Sequence, residues 1–152
     1  MLTMENVTKR YKHRRSDVHA LQNANVAIGT GEFISIVGPS GSGKSTLLLM
    51  LGGMLSPTSG KVTLQGTSLY DLSPNERAKM RQQHVGFVFQ SFNLVPYLTA
   101  LENVMIPLFL AGVAIDTQES RATELLERVG LGERLDHKPS ELSIGQQQRV
   151  AL

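Results

Sequence analysis

Apolar and polar residues alternate along the first thirty positions. In LTMENVTKRY (residues 2–11) and VHALQNANVAIG (residues 18–29) the period of two predicts half-buried strands. The stretch KRYKHRR (residues 9–15) is a basic loop between them, expected to be solvated although its charge suits phosphate or anionic lipid. GEFISIVG then supplies a short apolar run from Phe33 to Val37 between glycines, the pattern of a buried strand. A glycine-rich turn and KSTLLLMLGG follow, predicting a helix that ends at the Gly52-Gly53 pair. GKVTLQG and HVGFVFQ are expected to be two further short strands, the second ending at Gln90.

Four later positions carry helix-start chemistry. Ser73-Pro74-Asn75-Glu76 sets a capping serine before a proline at the first helical position and a glutamate at the third. Thr99 with Glu102, Asp116 with Glu119, and Ser143 with Gln146 repeat the spacing. Each joins a side-chain acceptor to a residue able to reach back to an orphan backbone N–H. From Asp116, Ala122, Leu125, Leu126 and Val129 keep helical spacing, and Gly130 closes that helix.

Composition narrows the class. A chain of 152 residues, 41% hydrophobic and 18% charged, has the make-up of one ordinary globular domain. A net charge of +2 gives no argument for nucleic acid. With no cysteine, disulfides, thiolate metal sites and cysteine nucleophiles are excluded. The N-terminus has no secretory pattern. The longest apolar stretch, residues 104–115, contains Pro107 and Gly112 and falls well short of the roughly 20 residues a membrane helix needs. The expectation is a soluble chain whose membrane link, if it has one, runs through a partner.

The chemistry concentrates in GPSGSGKST: Gly38, Pro39, Ser40, Gly41, Ser42, Gly43, Lys44, Ser45 and Thr46. Gly38, Gly43, Lys44 and Ser45 satisfy G-x-x-x-x-G-K-[ST], between an expected strand and an expected helix. Small residues let successive backbone N–H groups curl around a phosphate, and the helix turns its positive end to the same anion. Lys44 adds a mobile cation for the terminal phosphates, and the Ser45 hydroxyl can complete a magnesium shell. This is a nucleoside triphosphate site.

Three features together resemble the ATP-binding subunits of ABC transporters: this loop, VFQSFNLVPYLTALENV (residues 88–104), which resembles the Q-loop and the start of the helical subdomain, and LSIGQQQRVAL (residues 142–152), which resembles the LSGGQ signature. The wording GFVFQSFNLVPYLTALENVMIPL is most like the lipoprotein-releasing and macrolide-export group. The resemblance implies an α/β fold. It consists of a P-loop core with an antiparallel β region (residues 1–90), a helical subdomain (91–140) and the start of the signature helix (141–152), incomplete at its C-terminal end. It implies ATP and Mg2+ as cofactors, Tyr11 stacking on adenine, and Lys44 and Gln90 as catalytic groups. Ser45 and Gln90 would serve the metal, while Ser143, Gly145 and Gln146 would face the triphosphate held by the opposite subunit. The implied partners are a second ATP-binding subunit and an integral membrane permease, with no nucleic acid. The implied location is cytoplasmic, peripheral on the inner face of the membrane. Phe92, Leu94, Val95 and Tyr97 are either the groove that receives a permease helix or ordinary core.

Two departures from the family pattern stand out. Ile144 occupies a glycine position, where a β-branched side chain takes up space and disfavours positive φ; a weakened trans contact is expected. The sequence also carries no match to the family's later strand, with its magnesium-binding aspartate, catalytic glutamate and γ-phosphate-sensing histidine. Glu124, Glu127, Glu133, Asp136 and Glu141 are expected to be solvated instead. A chain lacking that strand is expected to be marginally stable. The rival reading is a nucleotide-binding or interaction module without turnover. A small-molecule kinase or GTPase would need acceptor-site or guanine-specifying residues, and the signature-like stretch argues against both.

Overall fold

The computed structural model describes residues 1–12 and 16–152. Of the expected basic loop at residues 9–15, His13, Arg14 and Arg15 lie outside the described residues, and Lys9, Arg10 and Tyr11 belong to the first strand instead. The chain divides into two compact units, Met1–Gly86 and Phe87–Leu152.

In the first unit, the two alternating segments form strands β1 (Leu2–Tyr11) and β2 (Val18–Ile28). They pair antiparallel, with Leu2 opposite Ile28 and Tyr11 opposite Val18. GKVTLQG supplies β3 (Ser59–Leu64), and a two-residue β4 (Thr67–Ser68) completes a sheet of order β2-β1-β3-β4. The alternation carries apolar side chains to one face, where Met4, Val7, Val62 and Leu69 meet Met50 and Leu51 of helix α1 (Lys44–Leu51). Register shifts interrupt the β1–β2 ladder. Asn6 and Asn23 adopt φ of 48° and 47° there, a conformation asparagine tolerates better than most residues. Side chains take over the interrupted pairing: the Asn6 N–H donates to Asn25 Oδ1 (2.8 Å) and the Asn23 N–H to Thr8 Oγ1 (3.1 Å). Helix α2 (Pro74–His84) ends the unit with the expected capping box. Two hydrogen bonds from Ser73 hold the Glu76 carboxyl below the ordinary glutamate range.

The structure corrects three expectations. Residues 33–37 and 85–89 are not strands. Each run is apolar enough, but a strand exists only when a neighbour takes its N–H and C=O groups, and among the described residues none lies alongside. Phe33 and Val37 consequently stand 96% and 85% exposed. Asp116 does not cap: the helix α4 (Ile115–Arg128) begins two residues earlier than that expectation, behind Ala114, and leaves Asp116 in its first turn, where a carboxylate still complements the helix dipole.

The second unit is helical: α3 (Ala100–Leu110), α4, short 3₁₀ turns at Gly132–Arg134 and Pro139–Glu141, and α5 (Ile144–Val150). Its core gathers Ala100, Leu126, Leu131, Leu142 and Val150. Gly130, at φ 72°, turns the chain after α4, and the Leu131 N–H returns to the Leu126 carbonyl at 2.8 Å. The buried Asn103 organises the approach to α3. Its Oδ1 accepts from the Val95 N–H (2.7 Å), and its Nδ2 lies within 3.2 Å of the Val95, Leu98 and Thr99 carbonyls. No described helix is long and apolar enough to cross a membrane.

Candidate phosphate-binding site

The glycine-rich loop joins residue 37 to α1. Gly43 is the N-cap residue of that helix at φ 92°, in the left-handed region that side chains disfavour. A Cβ built there would lie 2.3 Å from the Ala20 carbonyl oxygen and 3.3 Å from Leu21 Cδ2. Strand β2 therefore lies against the loop backbone at a distance only glycine permits. The Lys44 ammonium turns back over the loop and donates to the Gly38 (2.9 Å) and Pro39 (2.7 Å) carbonyls, while the Ser42 N–H reaches Pro39 O at 3.3 Å. Ser40, Ser42 and Ser45 are exposed, and Thr46 is half-buried. Among the described residues no side chain caps the start of α1, and its first turn holds no acidic residue. The leading N–H groups of α1 thus remain donors for an anion.

The far end of α1 is fastened. Tyr70 Oη donates to Met50 O (2.7 Å), and Arg81 Nη1 to Gly53 O (3.0 Å). Burial pushes the Tyr70 phenol up to about 12, against the opposing charges of Arg77 and Arg81. Met50 O thus accepts a second bond beside that of the Gly53 N–H (3.1 Å), and the turn after α1 is tied at Gly53 O.

Tyr11 ends β1, 43% exposed, with the Lys9 ammonium 5.2 Å from its ring centroid. Its cross-strand partner Val18 precedes Ala20 by two positions, or about 7 Å along the strand. The ring and the loop thus flank one short piece of β2.

The remaining sequence-derived residues belong to the second unit. Gln90 is exposed and follows the tilted Phe87–Phe89 pair, whose centroids are 4.6 Å apart. After it, Phe92 and Asn93 turn through φ of 60° and 53°. The four groove candidates separate. Leu94 packs on the helical core, Phe92 and Val95 are half-buried, and Tyr97 is 73% exposed. Ser143 caps α5: its hydroxyl accepts from the Gln146 N–H (3.3 Å), and its own N–H donates to Gln146 Oε1 (2.8 Å). A Cβ on Gly145 would meet nothing within 4 Å. Ile144 adopts ordinary helical backbone. It is the first residue of α5, its φ is not positive, and its side chain is 74% exposed, so the backbone argument against it lapses and only the space it occupies remains.

The carboxylates behave as expected. Glu124, Glu127, Glu133, Asp136 and Glu141 are exposed. Glu124 pairs with Arg121 at 2.6 Å, and Glu141 accepts from the Lys138 N–H at 2.7 Å. Among the described residues no three His, Asp or Glu side chains group as metal ligands. Sequence reasoning missed Asn103, Thr58 and the Tyr70–Arg81 fastening, because lone polar residues give no periodic signal.

A model of the ABC transporter family matches residues 21–152. The chain is 47% identical to the lipoprotein-releasing system ATP-binding protein LolD of Legionella pneumophila (strain Lens), over all of its own length and 67% of that protein's. It is 45% identical to the macrolide export ATP-binding/permease protein MacB of Syntrophobacter fumaroxidans, covering 22% of it. The dimeric post-hydrolysis structure of the ATP-binding cassette MJ0796 from Methanocaldococcus jannaschii, bound to ADP and Pi, superposes with a TM-score of 0.93 at 46% identity. That match covers 99% of this chain and 67% of the other. The chain therefore spans about two thirds of the length of LolD and of the MJ0796 cassette.

Proposed function

The chain belongs to the ABC transporter family, and on that premise we propose that it is the leading part of an ATP-binding subunit that takes Mg-ATP and drives a membrane permease. The observation that carries this reading is the Gly43 contact: the loop backbone is pressed on β2 where a single Cβ would collide, and the Lys44 ammonium lies back over the same loop on the Gly38 and Pro39 carbonyls. The fit to a triphosphate is good. Lys44 already satisfies two carbonyls, so a phosphate oxygen exchanges neutral acceptors for a charged one, and charge-assisted bonds are the stronger. Tyr11 offers its face to the adenine, by analogy with base stacking.

Magnesium, when bound, would neutralise charge on the phosphoryl oxygens; the Ser45 hydroxyl is the group of the Met1–Gly86 unit that would hold it, and Gln90 is a candidate by family resemblance alone. Lys44 stabilises the negative charge gathering on the terminal phosphate, the main task of a phosphoryl-transfer site. Ser143, Gly145 and Gln146 would meet the triphosphate of a second copy through the N-terminus of α5. Such a subunit sits on the inner face of the membrane through its permease. The MJ0796 cassette, solved as a dimer with ADP and Pi, supports both the ligand class and the pairing.

A second reading, nucleotide binding without turnover, is favoured by the carboxylates: those of residues 124–141 are exposed, and none follows an apolar strand. Phosphate release measured beside an ATP-binding titration separates the two. Release by the 152-residue chain supports the ATPase reading for the chain itself. Binding without release assigns turnover to parts outside this sequence, and absence of binding contradicts both.

A further inference from the structure

The end of β1 is held in place by the turn that leaves α1. One hydroxyl, Thr58 Oγ1, engages both backbone groups of Arg10: it accepts from the Arg10 N–H (2.9 Å) and lies 3.3 Å from the Arg10 carbonyl as donor. The Thr58 N–H donates to Thr8 O at 2.8 Å. Lys9 Nζ donates to Ser56 O at 2.7 Å while standing 5.2 Å from the Tyr11 centroid. Arg10 is further tied to Asp17 by an ion pair at 3.2 Å. These bonds surround the residue before Tyr11, just past the register shift between Lys9 and Arg10, where Arg10–His19 and Tyr11–Val18 are the last pairs with β2. Without them these two end pairs would open more readily.

We propose that Lys9 and Thr58 are positioning residues for nucleobase recognition, setting the Tyr11 ring without touching the nucleotide. The inference rests on the reading of Tyr11 as the adenine platform. Thr58 fixes the backbone from which the ring projects. The Lys9 ammonium, anchored on Ser56 O, holds the ring by cation–π attraction. Serine at 58 keeps the hydroxyl and valine removes it at nearly constant shape. Methionine at 9 removes the charge and keeps the length.

The test compares affinities for Mg-ATP and for inorganic tripolyphosphate, which shares the phosphates and lacks the base, by calorimetry on the whole protein. Thr58→Val and Lys9→Met should each weaken ATP about three- to tenfold and leave tripolyphosphate unchanged, with Thr58→Ser close to wild type. Amide exchange at Arg10 should quicken in Thr58→Val alone. Equal weakening of both ligands would overturn the proposal, since the residues would then act on the phosphates or on the whole fold. Tyr11→Ala keeps the two claims apart. If it weakens ATP while Lys9→Met and Thr58→Val do not, the positioning role fails and the platform stands. If Tyr11→Ala leaves ATP binding unchanged, the platform reading fails and the positioning role with it. Should Thr58→Val not fold, Lys9→Met reads the same ratio.

Discussion

At Gly43, one absent methyl group lets a strand lie on the phosphate loop. Gly43→Ala would bring a Cβ to 2.3 Å of Ala20 O while holding φ at 92°. The expected cost is about 2–4 kcal/mol of stability, the sum of left-handed strain and overpacking, readable in a urea titration. Ile144 is the opposite case, exposed at the first position of a helix. Ile144→Gly should change stability by no more than about 1 kcal/mol. Its effect should appear instead as stronger ATP-driven dimerisation of the full-length protein in analytical ultracentrifugation; unchanged dimerisation would remove the idea that Ile144 obstructs the trans contact. Tyr70 carries a pH signature. Its phenol titrates near 12 in the folded chain against an ordinary 10. Between those values the folded state keeps a proton that the unfolded state has released, so stability present below pH 10 is lost as pH rises toward 12. Tyr70→Phe should flatten that part of the stability profile relative to wild type and lower neutral-pH stability by about 1 kcal/mol through the lost bond to Met50 O.

At the scale of elements, what could be read in the sequence was whatever depends on local chemistry. Ser73, Thr99 and Ser143 each cap the helix expected of them, since a capping box is complete within four residues. Strands β1 and β2 were legible because alternation and an adjacent antiparallel partner occur together. The runs at 33–37 and 85–89 were not, because their fate depends on a partner strand that no local pattern supplies. Amide exchange should record the difference: protons at 33–37 should exchange orders of magnitude faster than those of Met4 or Val62. Protection of 33–37 equal to the β1–β3 ladder would contradict the assignment. Asn103 shows the reverse failure, a polar residue in an apolar helix that sequence alone did not flag. Four contacts to the 95–99 backbone converge on its amide. Asn103→Leu should cost about 2–3 kcal/mol by leaving the Val95 N–H and the Leu98 carbonyl unpaired.

For the molecule as a whole, the residues that the sequence pattern assigned to one domain fall into two compact units. Met1–Gly86 holds the loop, Lys44, Ser45 and Tyr11; Phe87–Leu152 holds Gln90 and the Ser143–Gln146 helix start. The ligand class was legible because nine consecutive residues state it. The roles proposed for Gln90 and α5 rest on family resemblance alone, since each is an ordinary polar residue or helix start in its local setting. The central claim is that the Met1–Gly86 unit grips a triphosphate through the loop and Lys44. Calorimetric titration of Mg-ATP into wild type and Lys44→Ala tests it most directly. The wild type should show saturable one-site binding and the variant a loss of at least tenfold, the equivalent of about 1.4 kcal/mol and the low end for a charge-assisted contact. Equal affinity in the two proteins would contradict it.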